Sequence, residues 1–259
     1  MIGKIKTMKN EDLKVTLVIP TLNEYEAMKE IMPLIKKEWY DELIVVDGGS
    51  TDATVDYCRE NGYPVIIQEG KGLPLALCKA FKLFKNDIFI TFSPDGNSIP
   101  ELIPPLVEKM REGYDMVIVS RYFESATSHD DGFLTGIGNK MFIILTNFLF
   151  RGRYTDVFVI FRAYSREALN KMALDRQESE NWLRRKWFYV NSWELASSIR
   201  AAKLKLAVAE IPGEEPKRIG GLSKLSILRN GSGGLLQLIY EFCIGCSFVR
   251  HYEKQEQKL

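Results

Sequence analysis

Residues 43–62 read LIVVDGGSTDATVDYCRENG, which joins an apolar run to a polar, glycine-containing turn and then to a helical pattern. The β-branched run Leu43–Asp47 is typical of a buried strand. Thr51 and Asp52 are suited to cap the start of a helix, and Gly62 follows its end, where glycine is favoured. The stretch therefore predicts one strand–turn–helix unit of an α/β protein.

The same unit repeats through the first half of the chain. Buried strands are predicted over Val15–Ile19, Leu43–Asp47, Val65–Gln68, Ile88–Phe92 and Met116–Val119. Helices are predicted over Glu26–Lys37, Asp52–Asn61, Leu73–Phe84 and Pro100–Glu112, the first of them interrupted by Pro33. This alternation predicts a Rossmann-like, mostly parallel sheet flanked by helices on both faces. Ligands of such sheets bind at the carboxyl ends of the strands, so polar residues there form the candidate site.

The second half of the chain has a different order of elements. It predicts an apolar helix over 132–150, an apolar stretch Val157–Ala163, two charged helices over 165–203 with the second beginning near Ser192, a strand Leu204–Ile211 and a loop Pro212–Lys224. We expect one domain over 1–230, with a nucleotide-sugar-binding half over 14–122 and an acceptor half over 123–230. A C-terminal apolar or amphipathic helix with a polar tail is expected over 231–259.

Composition and charge exclude several classes of protein. Of 259 residues, 46% are hydrophobic and 27% are charged, which is typical of a soluble globular chain rather than a disordered one. Thirty-five basic against 34 acidic residues argue against a general nucleic-acid binder. Four cysteines are too few for a disulfide scaffold, and the pair Cys243 and Cys246 lacks the further ligands that zinc needs.

Hydropathy gives an expectation for localisation. Met1–Leu13 is charged and lacks the apolar core of a signal peptide. The apolar run Leu235–Val249 is shorter than the ~20 residues that cross a bilayer. We therefore expect a cytoplasmic protein. Peripheral contact with the cytoplasmic face of the membrane is compatible with this expectation. Met141–Phe150 is apolar nearly all round, which fits a core helix or a membrane-facing one.

Polar loops follow three of the predicted strands. Pro20–Glu24 (PTLNE) carries an Asn and a Glu that could hold a ribose hydroxyl or a base edge, or simply form a turn and a helix cap. Asp47–Asp52 (DGGSTD) combines glycines, which allow close backbone approach, with carboxylate acceptors for a nucleoside. This second loop lacks the Gly-Lys-Ser/Thr ending of a phosphate-binding P-loop.

The third loop, Ser93–Ser98 (SPDGNS), is a candidate metal site. Asp95 and Asn97 stand two residues apart on a tight turn and offer oxygen ligands of the kind that Mg²⁺ or Mn²⁺ prefers. The phosphates of a substrate would complete the coordination shell. An Asp-Gly-Asn turn is also common on protein surfaces, so the loop alone leaves both interpretations open.

Taken together, these motifs resemble the family 2 glycosyltransferases of the GT-A fold. Val18–Glu24 (VIPTLNE) resembles the family's V-I-P-x-x-N-E, and Val45–Asp52 (VVDGGSTD) its V-V-D-D-G-S-x-D. The second half is similar to the dolichyl- and polyprenyl-phosphate sugar synthases. There the similar segments are Asp115–Tyr122 (DMVIVSRY), Asp156 with Phe161–Tyr164 (FRAY), Glu210–Pro212 (EIP) and Arg218–Lys224 (RIGGLSK).

Three positions depart from the family pattern. Ser93 stands where the D-x-D motif has its first carboxylate, and Gly48 replaces the second Asp of V-V-D-D. Val159-Ile160 replaces the Ser-Gly that precedes F-R-A-Y. These changes concern the nucleotide, the metal affinity and the acceptor rather than the fold.

The resemblance implies an inverting, metal-dependent enzyme that moves a sugar from a GDP- or UDP-linked donor to a polyprenyl (dolichyl or undecaprenyl) phosphate. The implied catalytic residues are Asp95, Asp156, Arg121 and Lys224. The implied nucleotide-sugar-binding residues are Pro20, Thr21, Asn23, Glu24, Asp47, Ser50, Asp52, Lys71, Ser93 and Asp95. Mg²⁺ or Mn²⁺ would be held by Asp95 and Asn97, and the acceptor by Arg121, Lys140, Arg218, Ser223 and Lys224.

The sequence leaves three alternatives open. A hydroxyl acceptor would need a general base, for which Asp156 with a near-neutral pKa is the leading candidate. A catalytically silent nucleotide-sugar binder is suggested by Ser93 and Gly48. A nucleotidyltransferase would need a Gly-rich, basic N-terminal loop, which the chain lacks.

Overall fold

The computed structural model describes residues 12–176, 192–220 and 227–249. Within them, seven strands form one sheet in the order β3-β2-β1-β4-β6-β5-β7. The strands are β1 Val15–Thr21, β2 Glu42–Asp47, β3 Val65–Ile67, β4 Ile88–Thr91, β5 Met116–Ser120, β6 Arg162–Ser165 and β7 Val208–Pro212. Only β6 among these runs antiparallel to its neighbours, β4 and β5. The sheet is therefore mostly parallel, which confirms the predicted fold class.

Helices cover both faces of the sheet. Those longer than one turn are α1 Tyr25–Ile31, α2 Thr54–Glu60, α3 Leu73–Leu83, α4 Ile103–Arg111, α5 Phe133–Phe150, α6 Arg166–Met172, α7 Trp193–Leu204 and α8 Ile227–Ile244. One apolar cluster packs α1 and α4 against the sheet, and a second packs α3, α6 and α7 against the opposite face. Strands β1 and β5 are almost wholly buried, because each is covered on both sides.

The first five predicted strands are confirmed to within two residues at each end. The first helix ends at Ile31, and Pro33 lies in a short 3₁₀ turn, Met32–Leu34, because proline removes a helical N–H donor. The strand predicted over Leu204–Ile211 begins only at Val208, since α7 continues to Leu204 and ends at Lys205 in a left-handed conformation. The apolar stretch Val157–Ala163 contributes only its last two residues to β6.

Helix α8 runs across the domain boundary predicted at residue 230. Glu241 is fully buried and accepts hydrogen bonds from Arg200 Nε at 3.0 Å and Lys203 Nζ at 2.8 Å, both on α7. The side chain of Gln237 accepts from Ser192 N at 2.9 Å and donates to Ser192 O at 2.8 Å. The polar residues that interrupt the apolar C-terminal run therefore face inwards and fix α8 to the domain.

Strand β1 lies between β2 and β4, where the order of the strands reverses direction. Loops that leave β1 and its neighbours diverge at such a switch point and open a crevice at their carboxyl ends.

Candidate active site

A cleft of about 660 Å³ opens at the carboxyl ends of the strands and is bounded on its outer side by α5 and α8. Its size is typical of a site for a small molecule or cofactor. The predicted site residues that line it are Pro20, Thr21, Glu24, Ser93, Asp95, Asn97, Arg121 and Arg218. Residues from both halves of the chain thus meet in one place, as the sequence predicted.

Asp47 and Ser50 are predicted residues that build a loop instead of lining the cleft. The carboxylate of Asp47 is fully buried and accepts from Gly49 N at 2.9 Å, from Ser50 N at 2.8 Å and from the Ser50 hydroxyl. Its oxygens are engaged by the turn that follows β2. The geometry therefore gives Asp47 and Ser50 the task of holding this turn, and their direct contact with a nucleoside stays a prediction.

Asn23 and Asp52 connect the turn after β1 to the turn after β2. Asn23 has a positive φ of 53° and accepts from Thr51 N at 2.7 Å through Oδ1. Asp52 accepts from Thr54 N at 3.0 Å and from Tyr25 N at 3.3 Å. Burial alone would raise the pKa of Asp52, but these donors and the Thr54 hydroxyl lower it overall. The two residues therefore fix the shape of the cleft wall.

Two further predicted basic residues, Lys71 and Lys140, are not part of the cleft lining. Lys71 and Lys140 are exposed, Lys71 between two glycines with positive φ and Lys140 on α5. The geometry thus does not support the prediction that Lys140 binds the acceptor. Ser223 and Lys224 lie outside the described residues.

Asp95 and Asn97 lie next to each other in the cleft lining. Asp95 Oδ1 accepts from Asn97 N at 3.1 Å, and Asn97 Nδ2 donates to Asp130 Oδ2 at 2.9 Å. Asn97 Oδ1 is buried and has no hydrogen-bond partner among the described residues. A carboxylate beside an amide oxygen with a free lone pair fits Mg²⁺ or Mn²⁺. No group of three or more acidic, histidine or cysteine residues suited to a metal occurs in the described part of the chain. These two residues alone would bind an ion weakly, and a diphosphate would supply further oxygen ligands.

A segment after β7, residues 213–219, contributes four residues to the cleft lining, and we call it the strap. Its Ile219 N donates to Asp95 O at 2.8 Å, and its Arg218 Nη2 lies 3.2 Å from Asp95 Oδ2. Gly96 allows this contact, because a Cβ there would lie 2.8 Å from a side-chain carbon of Ile219. The strap thus brings a guanidinium to the predicted metal ligand.

Arg121 follows β5 and is held by two carboxylates. Arg121 Nε donates to Asp156 Oδ2 at 2.6 Å and Nη2 to Asp156 Oδ1 at 3.0 Å, a bidentate pair. Its Nη1 donates to Glu215 of the strap at 3.2 Å. Arg121 also lines the cleft, and its guanidinium is therefore held there by two carboxylates.

Asp156 does not have the properties of a general base. Burial would raise the pKa of its carboxyl, but the Arg121 charge and hydrogen bonds from Arg121 and Phe158 N outweigh burial and lower it. The residue is 1% exposed and is not part of the cleft lining. The near-neutral pKa that the hydroxyl-acceptor alternative required of Asp156 is thus contradicted, and its geometry is that of a residue that orients Arg121.

Glu194 is a cleft residue that the sequence did not single out. It stands in the first turn of α7, is 6% exposed and accepts from the Ser192 hydroxyl at 2.7 Å. Burial raises the pKa of its carboxyl. A buried carboxyl with a raised pKa in a cleft is a candidate for proton transfer. Its signal in the sequence is only a Ser-x-Glu at a helix start, which ordinary capping also explains.

Comparison with known proteins identifies the family. The model of the family described as glycosyl transferase family 2 matches residues 16–173, more than half of the chain. The dolichol-phosphate mannosyltransferase of Pyrococcus furiosus is 36% identical over 118 residues, which cover 42% of this chain and 34% of that enzyme. The undecaprenyl-phosphate 4-deoxy-4-formamido-L-arabinose transferase of Pseudomonas fluorescens is 29% identical over 177 residues, which cover 64% of this chain and 50% of that enzyme. The chain thus aligns with half or less of each of these relatives.

A solved structure shows the same fold. The glucosyl-3-phosphoglycerate synthase of Mycobacterium tuberculosis, in complex with Mn²⁺, UDP and glucosyl-3-phosphoglycerate, has a TM-score of 0.63 and 23% identity to this chain. The superposition covers 89% of this chain and 80% of that one. The sheet, the cleft at its carboxyl edge and the family match lead to one conclusion: the chain is a glycosyltransferase that belongs to family 2 and has the GT-A fold.

Proposed function

We propose that this glycosyltransferase moves a sugar from a GDP- or UDP-linked donor to a polyprenyl phosphate, with inversion at the anomeric carbon. The observation that carries the proposal is the state of Asp156, whose carboxylate is paired with Arg121 and has a lowered pKa. A hydroxyl acceptor needs a base to remove its proton, whereas a phosphate is already an anionic nucleophile. The names of the two relatives above, which act on dolichol phosphate and undecaprenyl phosphate, agree with this choice.

The charge of the cleft supports a requirement for a divalent cation. Its described lining residues include five carboxylates, Glu24, Asp95, Glu194, Glu214 and Glu215, against the two guanidinium groups of Arg121 and Arg218. A diphosphate would be repelled from such a lining unless cations accompany it. A Mg²⁺ or Mn²⁺ ion held by Asp95 and Asn97 would stabilise the charge that develops on the leaving nucleoside diphosphate.

The other residues then have separate tasks. Arg121, oriented by Asp156 and Glu215, offers charge-assisted hydrogen bonds to a phosphate in the cleft. Arg218, now 3.2 Å from Asp95, would be free to bind a phosphate oxygen if a cation took that carboxylate. The turns after β1 and β2, braced by Asn23, Asp47 and Asp52, hold the nucleoside against Pro20, Thr21 and Gly48.

A second candidate, transfer to a hydroxyl group, is favoured by one observation. Glu194 is buried in the cleft with a raised pKa, which suits a general base better than Asp156 does. In that case the acceptor would be a saccharide or a small alcohol, and Glu194 would remove its proton.

The test is a panel of GDP-, UDP- and dTDP-sugars with Mn²⁺, assayed with and without a polyprenyl phosphate, with release of nucleoside diphosphate as the readout. Release that requires the lipid phosphate is expected, and the donor that gives it identifies the nucleotide. Release that is equal with and without lipid, and that rises with saccharide acceptors, would replace the first candidate by the second. Binding of donor without release on any acceptor would indicate a catalytically silent relative.

A further inference from the structure

Helices α5 and α8 pack against each other at the edge of the cleft and expose large apolar side chains. Phe133 and Phe148, at the two ends of α5, are 83% and 81% exposed. The exposed large hydrophobic residues of the two helices are Phe133, Leu134, Ile137, Met141, Ile144, Phe148 and Leu149 on α5, and Leu235, Leu236, Ile239 and Phe242 on α8. We call this set the apolar face.

The apolar face is not an average surface of this protein. Elsewhere in the described residues the exposed large hydrophobic side chains are Leu22, Leu34, Ile67 and Leu83, which belong to four different elements or loops. Single exposed apolar residues are ordinary, whereas a contiguous group on neighbouring helices indicates a surface that is covered in use.

From the start of α5 to Arg153 the charged residues are all basic, whereas Asp130 and Asp131, which precede the helix, are bonded to Asn97 and Tyr122. Over Phe133–Arg153 the charged residues are Lys140, Arg151 and Arg153, and all three are exposed. The acidic residue of α8, Glu241, is fully buried and paired with Arg200 and Lys203 on α7. An apolar surface with a cationic border is complementary to anionic lipid headgroups over an acyl layer.

Helix α5 meets the length and hydropathy that a membrane span requires, with 18 residues and a mean hydropathy of 1.4. It is nevertheless fixed to the domain. Phe142, Thr146 and Phe150 are buried, and the amide of Asn147 donates to Tyr154 O at 2.8 Å and accepts from Tyr154 N at 2.9 Å. Helix α5 therefore presents one face outwards while the other stays in the core, which is the arrangement of a helix lying in a membrane interface rather than crossing it.

The same two helices form the outer wall of the cleft. Gly138 and Asn139 of α5 and Gly231 and Gly234 of α8 line it. At Gly234 a Cβ would lie 2.7 Å from the ring of Phe142, so the two helices are in close contact there. Whatever covers the apolar face therefore lies next to the cleft mouth.

We propose that the apolar face docks on an anionic lipid bilayer, with α5 and α8 lying in the plane of the interface and the cleft opening towards it. The docking itself stands on the exposed residues and their charges. The further point, that the bilayer delivers a lipid-linked phosphate to the cleft, rests on the proposed function.

The experiment is co-sedimentation with vesicles, using the full chain without donor or acceptor. Wild-type protein is expected to bind phosphatidylcholine vesicles that contain phosphatidylglycerol, and to bind pure phosphatidylcholine more weakly. Phe148→Ser and Ile239→Ser each remove an exposed apolar side chain from the face and are expected to weaken binding about tenfold. Leu34→Ser and Ile67→Ser remove exposed side chains of similar size elsewhere and are expected to bind as wild type does.

Circular dichroism checks that all four variants are folded, and light scattering gives the molar mass without vesicles. Absence of wild-type binding, or equal losses in the control variants, would overturn the proposal. A dimer that the two face variants convert to monomer, without vesicle binding, would assign the face to a second copy of the chain instead.

Activity separates this proposal from the proposed function. On a short-chain, water-soluble polyprenyl phosphate without vesicles, Phe148→Ser is expected to turn over as wild type does, and to lose rate only on acceptor embedded in vesicles. Equal rates of the variant and wild type on both forms of acceptor would count against docking as the route of delivery. Vesicle binding without turnover on any lipid phosphate would refute the proposed function but would still support the docking proposal.

Discussion

Arg218 Nη2 lies 3.2 Å from Asp95 Oδ2, so a guanidinium of the strap sits on the carboxylate that the sequence predicts as the main metal ligand. The same side chain is 3.9 Å from Asp130, whose carboxylate also bonds the amide of Asn97. The guanidinium of Arg218 thus already occupies the position of a cation beside the carboxylates of Asp95 and Asp130. A divalent ion at this carboxylate would compete with Arg218, whose guanidinium would then be available to a phosphate.

The first prediction concerns this exchange. Arg218→Gln removes the competing guanidinium, so we expect Mn²⁺ to bind the substrate-free protein about fivefold more tightly, which corresponds to ~1 kcal/mol. Electron paramagnetic resonance of free Mn²⁺ measures this without turnover. The exposed neighbour Lys217 gives the control, since Lys217→Gln changes the net charge equally but leaves the contact intact. Unchanged or weaker Mn²⁺ binding in Arg218→Gln would show that the two cations do not compete.

The second prediction concerns Asp95. Asp95→Ala removes the carboxylate beside Asn97, so metal-dependent release of nucleoside diphosphate should fall at least about 10²-fold. The fold should persist, because the backbone contact between Ile219 N and Asp95 O does not depend on the side chain. Asp130→Asn is the matched variant, expected to have a smaller effect. Full activity of Asp95→Ala with Mg²⁺ present would refute the metal assignment.

The third prediction concerns Gly96, where Ile219 of the strap contacts the turn after β4. Gly96 has a φ of 91°, and a Cβ there would lie 3.2 Å from Ile219 N and closer still to the Ile219 side chain. Gly96→Ala should lower the free energy of unfolding by about 1–2 kcal/mol, measured by urea denaturation, and weaken Mn²⁺ binding by displacing the turn. Gly136→Ala on α5, where a Cβ meets open space, should be neutral or stabilising by up to ~1 kcal/mol. Equal effects of the two substitutions would mean that the strap does not depend on this contact.

The fourth prediction separates an orienting role of Asp156 from a catalytic one. Asp156→Asn breaks a buried pair and leaves Arg121 without its counter-charge, so a loss of about 3–5 kcal/mol in unfolding free energy is expected at pH 7. The folded-state pKa of Asp156 is lowered, so its contribution is full above the unfolded pKa of about 3.9 and is lost as the pH falls further. The stability difference between wild type and variant should therefore shrink below about pH 4. A wild-type activity profile with a near-neutral limb that Asp156→Asn removes would instead restore Asp156 as the base.

The sequence predicted the fold because its signals are local. Apolar runs of about five residues with turn residues after them define strands β1 to β5, and each pattern can be read within a few positions. The second half was less predictable. Strand β6 depends on antiparallel pairing with β4 and β5, and the start of β7 depends on where α7 stops, neither of which a local pattern contains.

The site was predictable in its residue types but not in its pairings. Asp95, Asn97 and Arg121 were found because they follow strands in a recognisable order. The contact of Arg218 with Asp95 joins positions 123 residues apart in the chain, and the Arg121–Glu215 pair joins positions 94 apart, so only the folded chain brings them together. The sequence did not indicate Glu194 either, because its place in the cleft depends on how α7 packs against α8.

Glu194 provides the last prediction, which decides between the two candidate acceptors. Glu194→Gln keeps the shape and the Ser192 contact but cannot accept a proton. On a lipid phosphate we expect kcat/KM within about threefold of wild type, whereas transfer to a hydroxyl would fall about 10²–10⁴-fold. Because burial raises the folded-state pKa of Glu194, stability declines as the pH rises from the unfolded pKa of about 4.3 towards the folded one. Glu194→Gln should therefore be at least as stable as wild type at pH 7, and this gain should vanish near pH 4 in urea denaturation. A large loss of lipid-phosphate transfer in a variant of unchanged stability would make Glu194 a participant in the reaction itself.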